Sequence, residues 1–320
     1  MNILIWHVHG SWTTSFVQGP HRYLIPVVPD RGPEGRGRAQ TWDWPAGAVE
    51  VTPEELPDAE LDLVIVQRPE DVELWERWCP GRRLGSDVPA IWLEHNAPQG
   101  RINELRHPAA DRDDIARVVH VTHTNDLFWD CGDVPTSVVE HGIVDPGQRW
   151  TGEIEAIGMV VNEPVRRARV TGTDLIPRFG EVGPVDLFGM GVDAMASDDR
   201  SWLRTHDDVP QEKMHLELAR RRLYVHPFRW TSLGLALLEA MHLGMPVVAL
   251  ATTEAHDAVP PSCGVVSNDV SALTAAAARL LADPAAGAEL GAAARSHVRE
   301  RYSLERFLHD WDQLLPEVTR

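Results

Sequence analysis

Residues 223–259 read LYVHPFRWTSLGLALLEAMHLGMPVVALATTEAHDAV, and this stretch decides the fold. It opens with a short apolar run that ends at His226 and Pro227, which predicts a buried strand. An aromatic and basic loop follows, with Phe228, Arg229 and Trp230. Thr231 and Ser232 then stand where N-cap residues belong, ahead of an apolar helix expected over 233–243. Gly234 removes a side chain in the first turn, so the amides of Leu233, Gly234 and Leu235 can approach a ligand closely. Unpaired amides and the helix dipole make such a start an anion site, here fitted to a diphosphate. Glu239 falls about two turns along, between Leu238 and Ala240. Gly244 ends the helix, and a second buried strand is expected over 246–249. Strand, helix, strand is the βαβ unit of a parallel sheet.

The same alternation runs outward in both directions. In the first half, strands are expected over 2–8, 23–28, 61–66, 90–95, 117–121 and 137–141, with helices over 71–78 and 125–131. Residues 31–45 (RGPEGRGRAQTWDWP) and 97–113 read as irregular loops. Turn residues cluster over 141–152, and the pattern then restarts. Strands follow over 154–161, 185–188, 223–226, 246–249 and 264–266, with helices over 211–221, 233–243, 270–282, 285–302 and 304–315. The expected fold is α/β with two Rossmann-like, doubly wound parallel-sheet domains, 1–150 and 151–302, facing a cleft. The last segment, 303–320, is expected to be a helix that packs back on the first domain, after a break at Tyr302 and Ser303.

Composition removes several function classes. A net charge of -18 argues against nucleic acid or an anionic membrane as a partner. Lys213 is the one lysine, so no Gly-Lys-Ser/Thr phosphate loop exists, and phosphate recognition falls to arginine, backbone amides or helix starts. Cys79, Cys131 and Cys263 are too widely spaced for a metal or disulfide framework and read as small buried hydrophobes. The N-terminus has no leader pattern, and no run approaches the roughly 18 apolar residues of a membrane span, so a cytoplasmic protein is expected. Twelve tryptophans, among them Trp6, Trp12, Trp42, Trp44 and Trp92, are mostly core or rim and offer flat stacking surfaces.

The central stretch resembles the nucleotide-sugar site of the retaining family 4 (group 1) glycosyltransferases, which have the GT-B fold. Laid without gaps on the pattern Pro-Ser-x-x-Glu-Gly-Phe-Gly-Leu-x-x-x-Glu-Ala-Met-x-x-Gly-x-Pro-Val-Val, the chain matches at Pro227, Gly234, Leu235, Glu239, Ala240, Met241, Gly244, Pro246, Val247 and Val248. The resemblance implies transfer of a hexosyl group from a nucleotide-diphosphate donor, with retention, to a small-molecule, glycan or lipid acceptor. It implies no metal and no separate cofactor. Glu239 would hold the donor's ribose hydroxyls. Thr231 stands where the family has a glutamate that touches the transferred sugar, with Ser232 and Leu233 at the following Gly-Phe. The replacement keeps a hydrogen-bonding hydroxyl and loses the charge.

Other segments follow the family's order more loosely. Gly10 and Ser11, after the first strand, stand where the family's loop approaches the donor diphosphate and acceptor. His95 stands at the family's strand-end histidine near the transferred sugar, and His141 where its Pro-Asn-Gly segment has Asn. Arg166 and Arg167, after the strand over 154–161, are the candidates for neutralising the leaving diphosphate. Three alternatives remain beside this reading. A catalytically inactive nucleotide-sugar binder is suggested by Thr231. An NAD-dependent oxidoreductase rests on Gly189, Gly191 and Ala194, and a barrel metal-dependent hydrolase on His7 and His9.

Overall fold

Seven parallel strands make the first sheet: β1 (Asn2–Ile5), β2 (Arg22–Pro26), β3 (Ala48–Val51), β4 (Leu63–Val66), β5 (Ala90–Glu94), β6 (Arg117–His120) and β7 (Thr136–Val138). Their spatial order is β3-β2-β1-β4-β5-β6-β7, so the winding reverses between β1 and β4. Helices α1 (Gly10–Phe16), α2 (Pro69–Trp78) and α3 (His123–Phe128) follow β1, β4 and β6. The computed structural model describes residues 1–319.

The second unit repeats the scheme. It holds β8 (Ile154–Val160), α4 (Pro164–Arg167), α5 (Ile176–Gly180), β9 (Val185–Gly189), β10 (Leu203–Asp207), α6 (Gln211–Leu218) and β11 (Arg221–His226). After these come α7 (Leu235–His242), β12 (Val247–Leu250), α8 (Ala255–Ala258), β13 (Gly264–Ser267), α9 (Val270–Ala282) and α10 (Pro284–Arg301). Its strand order is β10-β9-β8-β11-β12-β13, all parallel, with the reversal between β8 and β11. The interior strand β12 is a fully buried apolar run, VVAL, as expected where helices cover both faces. The last helix, α11 (Leu304–Val318), belongs to the first unit. Phe307 and Trp311 of α11 lie edge-on to Trp12, and Trp311 also meets Phe16 at 4.9 Å between ring centres. A side chain on Gly142 would collide with Phe307.

The division between the units falls at Val144 and Asp145, a few residues before 150. Asp145 is tied into the second unit by both terminal nitrogens of Arg295 at 3.0 Å. The amides of Arg149 and Trp150 donate to the carbonyl of Leu243, which fixes the entry strand against the end of α7. Among the described residues, no helix is long and apolar enough to cross a membrane.

Several local expectations are corrected. Gly10 and Ser11 open a helix, α1, where a loop after the first strand was expected, and β3 and β10 were not anticipated. Both missed strands are short edge strands, and β10 carries Arg204, His206 and Asp207, so its apolar signal is weak. Helix α7 begins at Leu235 with Gly234 as N-cap, two residues after the Thr231–Ser232 pair expected to cap it. The amides of Arg229 and Trp230 both donate to the Val170 carbonyl, which holds that loop away from the helix axis. Two open sheets replace the closed barrel that a barrel hydrolase needs. Gly189 and Gly191 follow the second strand of their unit, whereas a dinucleotide fingerprint opens the first βα turn.

Candidate functional site

In open parallel sheets, ligands bind beyond the carboxyl ends of the strands where the winding reverses. In the second unit that point lies between β8 and β11, and the chain after each strand brings chemistry to it. After β8 come Arg166 and Arg167, in the single turn α4. After β11 come Phe228, Arg229, Thr231, Ser232 and the start of α7. The backbone is strained along this edge: Glu163, Ala168, Asp208 and Thr253, all past strand ends, have positive φ without being glycine.

The two arginines part company. Arg166 is exposed and ion-paired with Glu163. Arg167 is half-buried and pairs with no carboxylate among the described residues; its guanidinium lies over the Phe228 ring, 5.9 Å from the centre. Burial, then the neighbouring Arg166, lowers the Arg167 pKa, the mark of a cation without a counter-charge. Phe228 in turn packs, tilted, against His226 with ring centres 4.3 Å apart, and a Cβ on Gly234 would lie 2.3 Å from the His226 ring. Arg167, Phe228, His226 and Gly234 thus form one continuous row from the end of β8 to the start of α7. Gly234 is therefore required by the histidine beneath it, a reason not visible in the expectation that it clears room for a ligand. His226 is fully buried, bonded through Nδ1 to the Tyr224 hydroxyl, and burial pushes it down to about 3.

The loops are latched together. Asp174 accepts two bonds from Arg229 and another from Arg169. Gly172, at φ +72°, passes so close to the Pro227 carbonyl that no side chain fits. Thr231 is half-buried with no hydroxyl bond to another described residue, while Ser232 and Leu233 are buried beside it.

Glu239 sits on α7, 5% exposed, with its carboxylate already engaged. Oε1 accepts from Nε2 of Gln211 at 2.8 Å, and Oε2 meets Nε2 of His215 at 3.2 Å. Both partners come from α6, one turn apart, so they present to the same carboxylate. Each oxygen keeps a lone pair for a further donor. Sequence reasoning missed Gln211 and His215. Their i, i+4 spacing was visible, but nothing local ties that face to Glu239.

In the first unit, His95 follows β5 and is buried, with Nε2 at 3.0 Å from Oε1 of Gln67, which follows β4. The His9 and His95 rings lie 4.0 Å apart, and Trp12 meets His95 edge-on. Burial, then His9 and His141, holds His95 well below the ordinary histidine range. Gly10 and Ser11 form the first turn of α1, and the Trp42 ring rests on Gly10 where a side chain would be. Cys79, Cys131 and Cys263 are all buried, and burial pushes the first two thiols up to about 11.

Residues 191–283 match the family described as glycosyl transferases group 1. The lipopolysaccharide core biosynthesis mannosyltransferase LpcC of Rhizobium leguminosarum bv. viciae is 31% identical over 235 residues, 63% of this chain and 66% of that protein. The GDP-mannose-dependent monoacylated alpha-(1-6)-phosphatidylinositol monomannoside mannosyltransferase of Corynebacterium glutamicum is 40% identical over 75 residues, 23% of this chain and 20% of that protein. The chain thus spans less than two thirds of the length of either relative. Among solved structures, Anabaena Alr3699/HepE in complex with UDP and glucose superposes with a TM-score of 0.71 at 12% identity, covering 99% of this chain and 100% of that one. A seven-stranded and a six-stranded parallel sheet in one chain, the second continuing into a group 1 match, give this protein the GT-B fold of the glycosyltransferases.

Proposed function

We propose that the protein is a retaining glycosyltransferase that moves a hexosyl group from a nucleotide diphosphate to an acceptor hydroxyl, with the second unit holding the donor and the first the acceptor. The observation that carries this is Arg167, a half-buried arginine without a carboxylate partner, in van der Waals sequence with the start of α7. The bond from the anomeric carbon to the diphosphate breaks, and the acceptor oxygen bonds to the same carbon. Charge grows on the departing phosphate, where Arg167 and the amides before Leu235 are the donors. Retention brings the acceptor in on the face from which the phosphate leaves, so a phosphate oxygen is the nearest base for the hydroxyl proton. Glu239, oriented by Gln211 and His215, takes the ribose hydroxyls. Thr231, with its free hydroxyl, and Ser232 border the sugar. Arginine and amides supply the positive charge, so the reaction is read as metal-independent.

Both curated relatives are named mannosyltransferases, one of them GDP-mannose-dependent, so GDP-mannose is the first donor to try. A thermal-shift panel of GDP, UDP, GDP-mannose and UDP-glucose is the test, followed by turnover of whichever donor stabilises the protein, with and without EDTA. Stabilisation by none of the four removes the reading. Binding without any donor consumption leaves a nucleotide-sugar binder, and loss of turnover in EDTA removes metal independence.

A further inference from the structure

The loop over 31–45 is fastened by hydrogen bonds on both sides of its tip and by none at the tip among the described residues. Arg31 pairs with Glu50 through both terminal nitrogens, and the Arg38 amide donates to the same carboxylate. The Arg38 guanidinium donates to the carbonyls of Trp44, Pro45 and Ala48, and Trp44, buried, donates Nε1 to the Thr14 hydroxyl at 2.8 Å. Between these posts, residues 39–43 form no hydrogen bond with any described residue. What holds the tip is the Trp42 ring lying on Gly10, with its Nε1–H buried and unpartnered. Trp6, Trp12, Trp92 and Trp311 also have unpartnered Nε1 atoms, but they are locked in or beside strands and helices.

Gly10 follows His9 directly, and His9 opens onto His95 and His141. His141 is 3% exposed, and neither of its ring nitrogens has a partner among the described residues. Its closest charged or titratable influences are His9 and the Arg306 guanidinium, and burial pushes it down to about 3. A buried imidazole offers one donor and one acceptor, and leaving both unmade is unfavourable until something supplies the complement. The nearby arginines are spent: Arg306 is tied to Asp310 and to the carbonyls of Glu140 and His141, and Arg38 to its own loop. His95 and His141, held uncharged by burial, favour a ligand that is uncharged and rich in hydroxyls. An indole on a loosely held tip supplies a flat apolar face and one N–H.

We propose that Trp42, with His9, His95 and His141, forms a subsite for the ring of a neutral saccharide, with Trp42 as a lid that lifts from Gly10 to stack on that ring. The assignment rests on the reading of the first unit as the acceptor side, and it names the acceptor's chemistry at this subsite as neutral sugar and not a phosphorylated headgroup.

The test is saturation-transfer NMR on the full chain, with methyl α-mannoside and methyl α-glucoside as neutral probes and mannose 6-phosphate as the charged one. Nucleotide binding is measured in parallel by calorimetry. A neutral glycoside should bind, the phosphorylated sugar about ten-fold more weakly, and Trp42→Ala should weaken the glycoside about five-fold or more while Trp42→Phe retains it. Both variants should bind the nucleotide as the wild type does, which shows that they are folded. His141→Gln, which keeps a donor and an acceptor, should retain the glycoside better than His141→Leu. A glycoside signal unchanged in Trp42→Ala, or a preference for the phosphorylated sugar, overturns the proposal. So does a protein that binds nucleotide and neither glycoside. Loss of nucleotide binding with Trp42-dependent glycoside binding intact counts against the donor reading alone.

Discussion

Arg166 and Arg167 are neighbours in sequence, yet one is neutralised by Glu163 and the other is not. Charge-assisted hydrogen bonds contribute about 1.5–3 kcal/mol each, so Arg167→Ala is expected to weaken nucleotide diphosphate binding at least ten-fold. Arg166→Ala should change it less than about three-fold, because an exposed ion pair contributes little. Calorimetry with the free nucleotide checks both, and equal effects would remove the distinction. Glu239→Gln should also cost at least about ten-fold in nucleotide affinity, since it loses charge-assisted acceptance from the ribose. Thr231→Ala, removing one neutral hydroxyl, should cost only about 1 kcal/mol and instead reorder the donors that differ at one carbon. Two residues of this set, Gln211 and His215, escaped sequence reasoning because their bond to Glu239 spans 28 and 24 positions.

At the level of elements, the decisive one is α7 and what lies beneath it. Gly234→Ala pushes a methyl into the His226 ring and should destabilise the second unit by about 1–3 kcal/mol. Adding His226→Ala should recover part of that loss, a non-additivity readable in urea denaturation of the single and double variants. Additive losses would mean that the ring and the methyl do not meet. The βαβ unit around α7 was legible because apolar period, glycine and proline are all local signals. Helix α1 was not: GSWTTSF has a glycine, two threonines and two serines, each a weak helix former, and its helicity comes from burying Trp12 and Phe16 against the sheet and α11. The start of α7 was misplaced for a related reason. Thr231 and Ser232 are good caps in isolation, but bonds from the loop to Val170 delay the helix to Gly234.

Over the whole molecule, both units carry histidines that fold uncharged. Burial brings His141 and His226 down to about 3 and His120 down to about 4, from an unperturbed 6.5. Between those limits the unfolded chain binds more protons than the native one, so stability falls as pH falls, by about 1.4 kcal/mol per pH unit for each such histidine once well below 6.5. Denaturation midpoints at pH 7.5 and 5.5, where carboxylates stay ionised, should show this loss, and His226→Gln should reduce it by about 1.4 kcal/mol. A pH-independent midpoint would mean that these imidazoles are not neutral in the fold. Phe307→Ala should cost the first unit about 3–5 kcal/mol, as α11 loses its contact with Trp12 and Gly142. If the second unit holds the nucleotide as proposed, nucleotide affinity should be unaffected.

The sequence by itself determined the doubly wound architecture, the restart between two sheets, and the order of strand, loop, helix and glutamate around α7. These follow from periodicity and turn chemistry, which act over a few residues. Only the tertiary structure decided which arginine has no carboxylate partner among the described residues, what holds Glu239, why Gly234 has no side chain, and what rests on Gly10. Arg167 meets Phe228, Glu239 meets Gln211 and His215, and Gly10 meets Trp42 across tens of positions in the chain, and Gly234 meets His226 only because the loop between them folds back over the strand end. No local pattern encodes which side chain fills the space that a glycine leaves open.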